Sequence, residues 1–188
     1  LEKNNKDFLK YQLTIDLRKS IEDIRLGFRK SYKPLVNKAL KEWQIEVCDK
    51  DHDQIFEEFR LLHLEAAGKE TRSRESWTIQ KEQITNKEAF LVTVRDESKL
   101  IGAGFFNYTR DIGMYSVAAY KRELFDRPIG HAVQMIAIEK LKELGCKTYY
   151  LGQKATFGLS TEKEISISHF KEGFASHIVA QPNLEVTI

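Results

Sequence analysis

The sequence predicts a mixed α/β fold, with one central, mostly antiparallel sheet flanked by helices. Three observations predict it. AFLVTVRD (89–96), KLIGAGFFNYT (99–109) and IGMYSVAAY (112–120) read as three strands whose connections are short and polar, as antiparallel hairpins require. RPIGHAVQMIAIEKLKELG (127–145) then repeats apolar residues at helical spacing, with Pro128 in its first turn and Gly145 past its end. The first half is rich in helical patterns, and the last 40 or so residues return to strand, helix and strand.

The remaining elements follow in order. YQLTIDL (11–17) alternates with period two and reads as the first strand. Asp16 or Ser20 then caps a helix over residues 20–42, with Ile21, Ile24, Leu26, Phe28, Leu35, Val36 and Leu40 on its apolar side. Pro34 must kink or divide this helix, because proline lacks an N–H and clashes with the preceding turn. WQIEVCD (43–49) is a short strand. Asp51 or Asp53 opens a helix that Gly68 stops, and residues 77–85 form another. After the meander and its crossover helix come a strand at 147–152, a short helix at 165–174 and a final strand or two.

Composition narrows the function classes. With 41% hydrophobic and 31% charged residues, the chain is an ordinary globular one, and 188 residues suffice for one core. No apolar run approaches the length of a membrane span. The opening LEKNNKDFLKYQL is polar and lysine-rich, without the apolar core of a signal peptide, so a cytoplasmic location is expected. The first residue is Leu1, which leaves open that the chain is a piece of something longer. Cys48 and Cys146 show no CxxC spacing, and His52, His63, His131, His169 and His177 form no HExxH or HxH cluster, so no metal is expected. The net charge is only +2, so any phosphate-bearing partner must be met by local charge.

Three stretches carry a resemblance. FRKSYKPLVNKAL (28–40) is a basic segment following a strand that ends in Asp-Leu. RPIGHAVQMIAIEKLKELGCKTYYLG (127–152) joins a proline-opened helix, a Gly-Cys turn and an aromatic strand, and HFKEGFASH (169–177) contains Phe-Lys-x-Gly-Phe. In this order they resemble the C-terminal, GNAT-like half of the Fem-type peptidyltransferases and their FemAB-like acyltransferase relatives. The resemblance implies a single GNAT-like acyltransferase domain over residues 1–188, which is either a single-module relative or the C-terminal half of a two-module protein.

The resemblance also implies roles. Lys171 would lie at the acyl-transfer site and stabilise the developing oxyanion, with Phe170 beside it and Phe174 shaping the pocket. Read from the residues alone, the same stretch is a helix end with core phenylalanines and a solvated lysine. Arg127, Gly130 and His131 fall in RPIGHA, which fits the R/Q-x-x-G-x-G/A loop that holds the pyrophosphate of acyl-CoA at a helix N-terminus. An alternative register places Gly130 last, and an ordinary proline-started helix explains the stretch equally well. From Leu17 to Lys41 eight cations face two carboxylates, and Lys30 and Lys33 are the expected phosphate contacts, Lys33 standing where the family has an arginine. Tyr149 is a further substrate-binding candidate. Tyr150 stands where Fem-type proteins carry an aspartate.

The function expected is transfer of an acyl or aminoacyl group onto an amine, on a small molecule or a cell-envelope or polysaccharide precursor. The donor would be aminoacyl-tRNA or acyl-CoA, used as a substrate without a permanently bound cofactor. With no activated Ser or Cys in view, direct attack is expected rather than a covalent enzyme intermediate. A missing N-terminal GNAT-like half, or a homodimer, would complete the acceptor cleft. Two alternatives stay open: an acyl-CoA-dependent GNAT N-acetyltransferase, and a catalytically silent carbohydrate- or nucleic-acid-binding module.

Overall fold

The computed structural model describes residues 9–50 and 52–182. In chain order the elements are β1 (Leu9–Asp16), α1 (Ile21–Gly27), α2 (Tyr32–Glu42), β2 (Gln44–Cys48), α3 (Asp53–Ala67), α4 (Arg74–Thr85) and β3 (Ala89–Asp96). They continue with β4 (Lys99–Tyr108), β5 (Ile112–Tyr120), a 3₁₀ turn at Arg122–Leu124, α5 (Ile129–Glu143), β6 (Thr148–Gln153), α6 (Glu162–Glu172) and β7 (His177–Pro182). The strands form one seven-stranded sheet in the order β2-β3-β4-β5-β6-β1-β7. Every neighbouring pair is antiparallel except β5 and β6, which α5 links as a crossover. The sheet is the mixed, mostly antiparallel one expected, and the meander β3–β5 falls within a residue of its sequence reading.

Helices cover both faces. On one, α1, α2 and α5 pack with Leu13, Ile15, Val92, Phe106 and Tyr149. On the other, Phe56 and Phe59 of α3 and Trp77 of α4 pack with Leu91 and Phe105. β3 therefore has six consecutive buried residues, Ala89–Val94, as a strand enclosed on both sides must.

Three helix boundaries correct the sequence reading. The 20–42 helix divides at residues 28–31, not at Pro34: Phe28 turns to extended geometry and enters the core, and α2 restarts at Tyr32. Pro34 is then the third residue of α2, where an N–H would have no helical acceptor and its absence costs little. Ser20, not Asp16, caps α1, its hydroxyl accepting the Asp23 N–H at 3.0 Å. Likewise Ser73 starts α4 at Arg74, and a reciprocal Thr161–Glu164 capping box starts α6 at Glu162. Of the two carboxylates read as opening α3, Asp53 is its first residue, while Asp51 lies outside the described residues.

Candidate active site

β5 and β6 are bonded only at one end. Ile112, Gly113 and Met114 pair with Thr148, Tyr149 and Tyr150, after which β5 stays with β4 and β6 stays with β1. The sheet therefore opens into a crevice between Tyr115–Tyr120 and Leu151–Gln153. α5 roofs one side with its N-terminal turn, and the end of α6 lies across the crevice.

A bulge shapes the β5 wall. Phe106 pairs with Tyr115 but Phe105 with Val117, so Ser116 is an extra residue in the ladder. Simple alternation would send Tyr115 and Tyr120 to opposite faces, and the bulge puts them on the same one. Their hydroxyls lie 3.1 Å apart. Burial pushes Tyr115 up to about 12 and Tyr120 well above the ordinary phenol value.

Lys171, in the last turn of α6, reaches into this crevice. Its ammonium lies 5.3 Å from the centroid of the Tyr115 ring. It also lies against Gly152, where a Cβ would come within 2.7 Å of Nζ. Gly152 has φ +117°, a conformation that L side chains rarely adopt, so glycine serves there both the bend of β6 and the space for the amine. Among the described residues no carboxylate pairs with Lys171. The adjacent Glu172 is held by Lys154 at 3.0 Å and by the Ser168 hydroxyl at 2.8 Å. Burial lowers the Lys171 pKa, because the charged form loses solvent without gaining a counterion.

Aromatic rings brace the lysine. Phe170 packs edge-on against His131 (5.2 Å) and against Phe174 (5.4 Å), and its ring lies beside Gly130. Phe174 is buried against Phe28 and Tyr32. The Tyr32 hydroxyl donates to the Phe170 carbonyl at 3.1 Å, and the Tyr32 ring fills the space that a side chain on Gly173 would need. Arg29 fastens the same corner, donating to the His169 carbonyl at 3.0 Å while its backbone N–H donates to the Gly173 carbonyl at 2.8 Å. The break between α1 and α2 thus exists to seat α6. His131 is held neutral, its pKa lowered to about 4 by burial and secondarily by the Arg29 charge, and its Nε2 is buried without a partner.

The structure brings Lys171, Phe170, Phe174, Gly130 and His131 together. It sends Arg127 elsewhere: its guanidinium pairs with Glu42 and lies over the Trp43 ring, so it faces the end of α2. Lys30 is exposed and Lys33 half-exposed on the outer α1–α2 surface. Tyr149 is fully enclosed, its hydroxyl donating to Gln134 Oε1 at 2.6 Å. Tyr150, in the aspartate position, alternates to the sheet face away from Lys171. Residues the sequence reading passed over are Arg29, Tyr32, Tyr115, Tyr120, Gln134 and Gly152. Of these Arg29 and Tyr32 left a trace within FRKSYKPLVNKAL, and Gly152 as the glycine that ends Tyr-Tyr-Leu-Gly.

Neither a protein-family model nor a curated protein matches the chain. Solved structures do. FemX superposes with a TM-score of 0.73 at 14% identity, over 95% of this chain and 62% of its own. L-PGS from Bacillus licheniformis gives 0.61 at 16% identity, over 88% of this chain and 56% of its own. An aminoglycoside acetyltransferase from an uncultured soil metagenomic sample, solved with trehalose, gives 0.58 at 11% identity over 78% of this chain and 98% of its own. The chain thus spans less than two-thirds of the length of FemX and L-PGS. At these identities the likeness is one of fold, and the fold is the GNAT-like one that the sequence led us to expect.

Proposed function

We propose that the chain is an acyl- or aminoacyltransferase that moves an acyl group onto an amine in the crevice between β5 and β6. The observation that carries this reading is Lys171, a half-buried ammonium that pairs with no carboxylate among the described residues, held by aromatic packing at the point where the sheet opens. A structural lysine is normally neutralised or solvated. An unpaired, half-buried one is a standing positive field, available to negative charge that develops on a carbonyl oxygen under attack. The acceptor amine attacks the acyl carbon directly. Cys48 and Cys146 are buried, with pKa values raised by that burial, and do not serve as nucleophiles.

Two donors fit the surroundings. Among the described residues no strand pairs with the β5 edge from Tyr115 to Tyr120 on its β6 side, and its backbone can bond an extended, amide-bearing arm such as that of acyl-CoA. Against a bound pyrophosphate stand Pro128 at the α5 N-cap, with no N–H to give, and Arg127, engaged by Glu42. The basic α1–α2 surface, with Lys30, Lys33, Lys38 and Lys41, favours a phosphate-rich donor such as aminoacyl-tRNA. The acceptor would be a small amine or an amine on an envelope precursor. Because the chain spans about six-tenths of FemX and L-PGS, a second module or a second copy completing the acceptor cleft belongs to the same proposal.

A thermal-shift titration with acetyl-CoA, longer acyl-CoAs and aminoacyl-tRNA at two salt concentrations tests the reading. A ligand at 100 times its Kd adds about 2.7 kcal/mol of stability. A shift with acyl-CoA that survives salt assigns the thioester donor, whereas a salt-sensitive shift with aminoacyl-tRNA assigns the other. No shift with any of them counts against acyl transfer by this chain.

A further inference from the structure

Beneath Lys171 runs a row of neutral polar side chains where apolar ones would fill the space. Gln134 of α5 and Tyr149 of β6 are fully enclosed. The Tyr149 hydroxyl donates to Gln134 Oε1 at 2.6 Å, which orients the amide and turns its NH₂ the other way. That nitrogen is buried and makes no hydrogen bond of proper geometry. The Gln134 amide lowers the Tyr115 pKa that burial raises. Tyr115 in turn lies 3.1 Å from Tyr120, whose ring end approaches Gly130 at the start of α5.

The Tyr115 and Tyr120 hydroxyls share one hydrogen bond, and whichever of them accepts keeps its own proton to give onward. Tyr115 and Tyr120 are half-buried, whereas Gln134 and Tyr149 are sealed. The crevice is therefore offered O–H donors from one side and the Lys171 ammonium from another. Burial keeps both phenols protonated, so neither neutralises the lysine as a phenolate.

We infer that Tyr115 and Tyr120 are further catalytic residues that, with Lys171, receive the oxygen of the reacting carbonyl, and that Gln134 and Tyr149 are positioning residues behind them. The inference rests on the acyl-transfer reading. In the step it serves, the lone pair of a neutral amine forms a bond to the acyl carbon and the C=O π pair moves onto oxygen, where the donors hold it. That pair then returns as the bond to the leaving group breaks. The leaving group departs with its electron pair and takes up the proton that the attacking nitrogen loses, giving an amide and a free thiol or hydroxyl.

The test measures acyl release from acetyl-CoA and from alanyl-tRNA, with glycinamide as the amine, in the wild type and in Lys171→Ala, Tyr115→Phe, Tyr120→Phe and the pair Gln134→Met with Tyr149→Phe. The phenylalanine variants should each lose about tenfold to a hundredfold in kcat with KM within about threefold, as removal of a transition-state donor does. The core pair should lose kcat while its Tm holds or rises, because both hydrogen-bonding partners go together. A merely structural row would instead lower Tm and leave kcat alone, which overturns the assignment. Full kcat in both phenylalanine variants beside a dead Lys171→Ala would sink this inference and leave the transfer reading standing. Release from neither donor by the wild type would overturn the transfer reading, and this inference with it.

Discussion

The two faces of the sheet are built to different standards. On the α3–α4 face Phe56, Phe59, Trp77 and Phe105 meet edge-to-face at 5.5 to 6.4 Å, a close aromatic packing that stabilises the fold. On the α5–α6 face lie a half-buried ammonium that pairs with no carboxylate among the described residues, a buried amide N–H, and the phenol hydroxyls of Tyr115, Tyr120 and Tyr149. Each of those is costly to enclose, and apolar replacements would fold better. Stability is concentrated on the first face, and the second gives up some of it to hold polar groups.

Substitutions on the two faces should therefore fail in different ways. Phe59→Ala, at a fully buried position, should cost about 3–5 kcal/mol of stability, read from chemical denaturation. Lys171→Ala should do the reverse, with kcat down by about 10²–10³ and Tm unchanged or higher. A large Tm loss there would put Lys171 on the structural side of the comparison.

Gly152→Ala should combine both failures. Forcing an L residue to φ +117° costs on the order of 1–3 kcal/mol and pushes the Lys171 amine from its seat. Repeating it in the Lys171→Ala background should leave the backbone cost and remove the collision, so the two effects should not add.

The pH dependence separates the faces again. With its pKa lowered by burial, Lys171 should set an alkaline limb of kcat below the ordinary lysine value of 10.5. The linkage sign is opposite to that of a paired lysine. The charged form is penalised in the fold, so stability rises with pH between the folded and the unfolded pKa, and Lys171→Met should flatten that rise. The smallest effect is expected at Asp16. Its hydrogen bonds from Arg18 hold its pKa near 2, against 3.8 ordinarily, so its contribution is present above the unfolded value and lost as pH falls through the folded one. Asp16→Asn should lower stability slightly at pH above that range and remove the pH dependence within it.

The meander was legible in the sequence because period-two runs and two-to-three-residue turns leave one arrangement of β3, β4 and β5. The start of α6 was legible too, in Thr161-x-x-Glu164, although hydrophobic spacing alone began it three residues late. Pro34 misled because a proline marks a break only inside a helix, and long-range packing of Phe28 and Tyr32 on Phe174 moved the break upstream. Lys171 and Phe170 stood out through their local motif. Tyr115 and Tyr120 did not, because a one-residue bulge at Ser116 decides which face they share, and bulges leave no mark in alternation. Gln134 read as one polar residue in an apolar helix, and its meaning lies in Tyr149, a partner 15 residues away across the crossover.

The place of β1 sets an order in time. It lies between β6 and β7, with Leu13 opposite both Gly152 and Ile178, so neither of its edges can be satisfied until the last quarter of the described chain has emerged. Pairings over such separations close slowly, whereas β3, β4 and β5 need only their own turns. A growing chain thus holds the tyrosine wall long before it acquires the lysine, and the crevice is whole only when synthesis of the fold is complete.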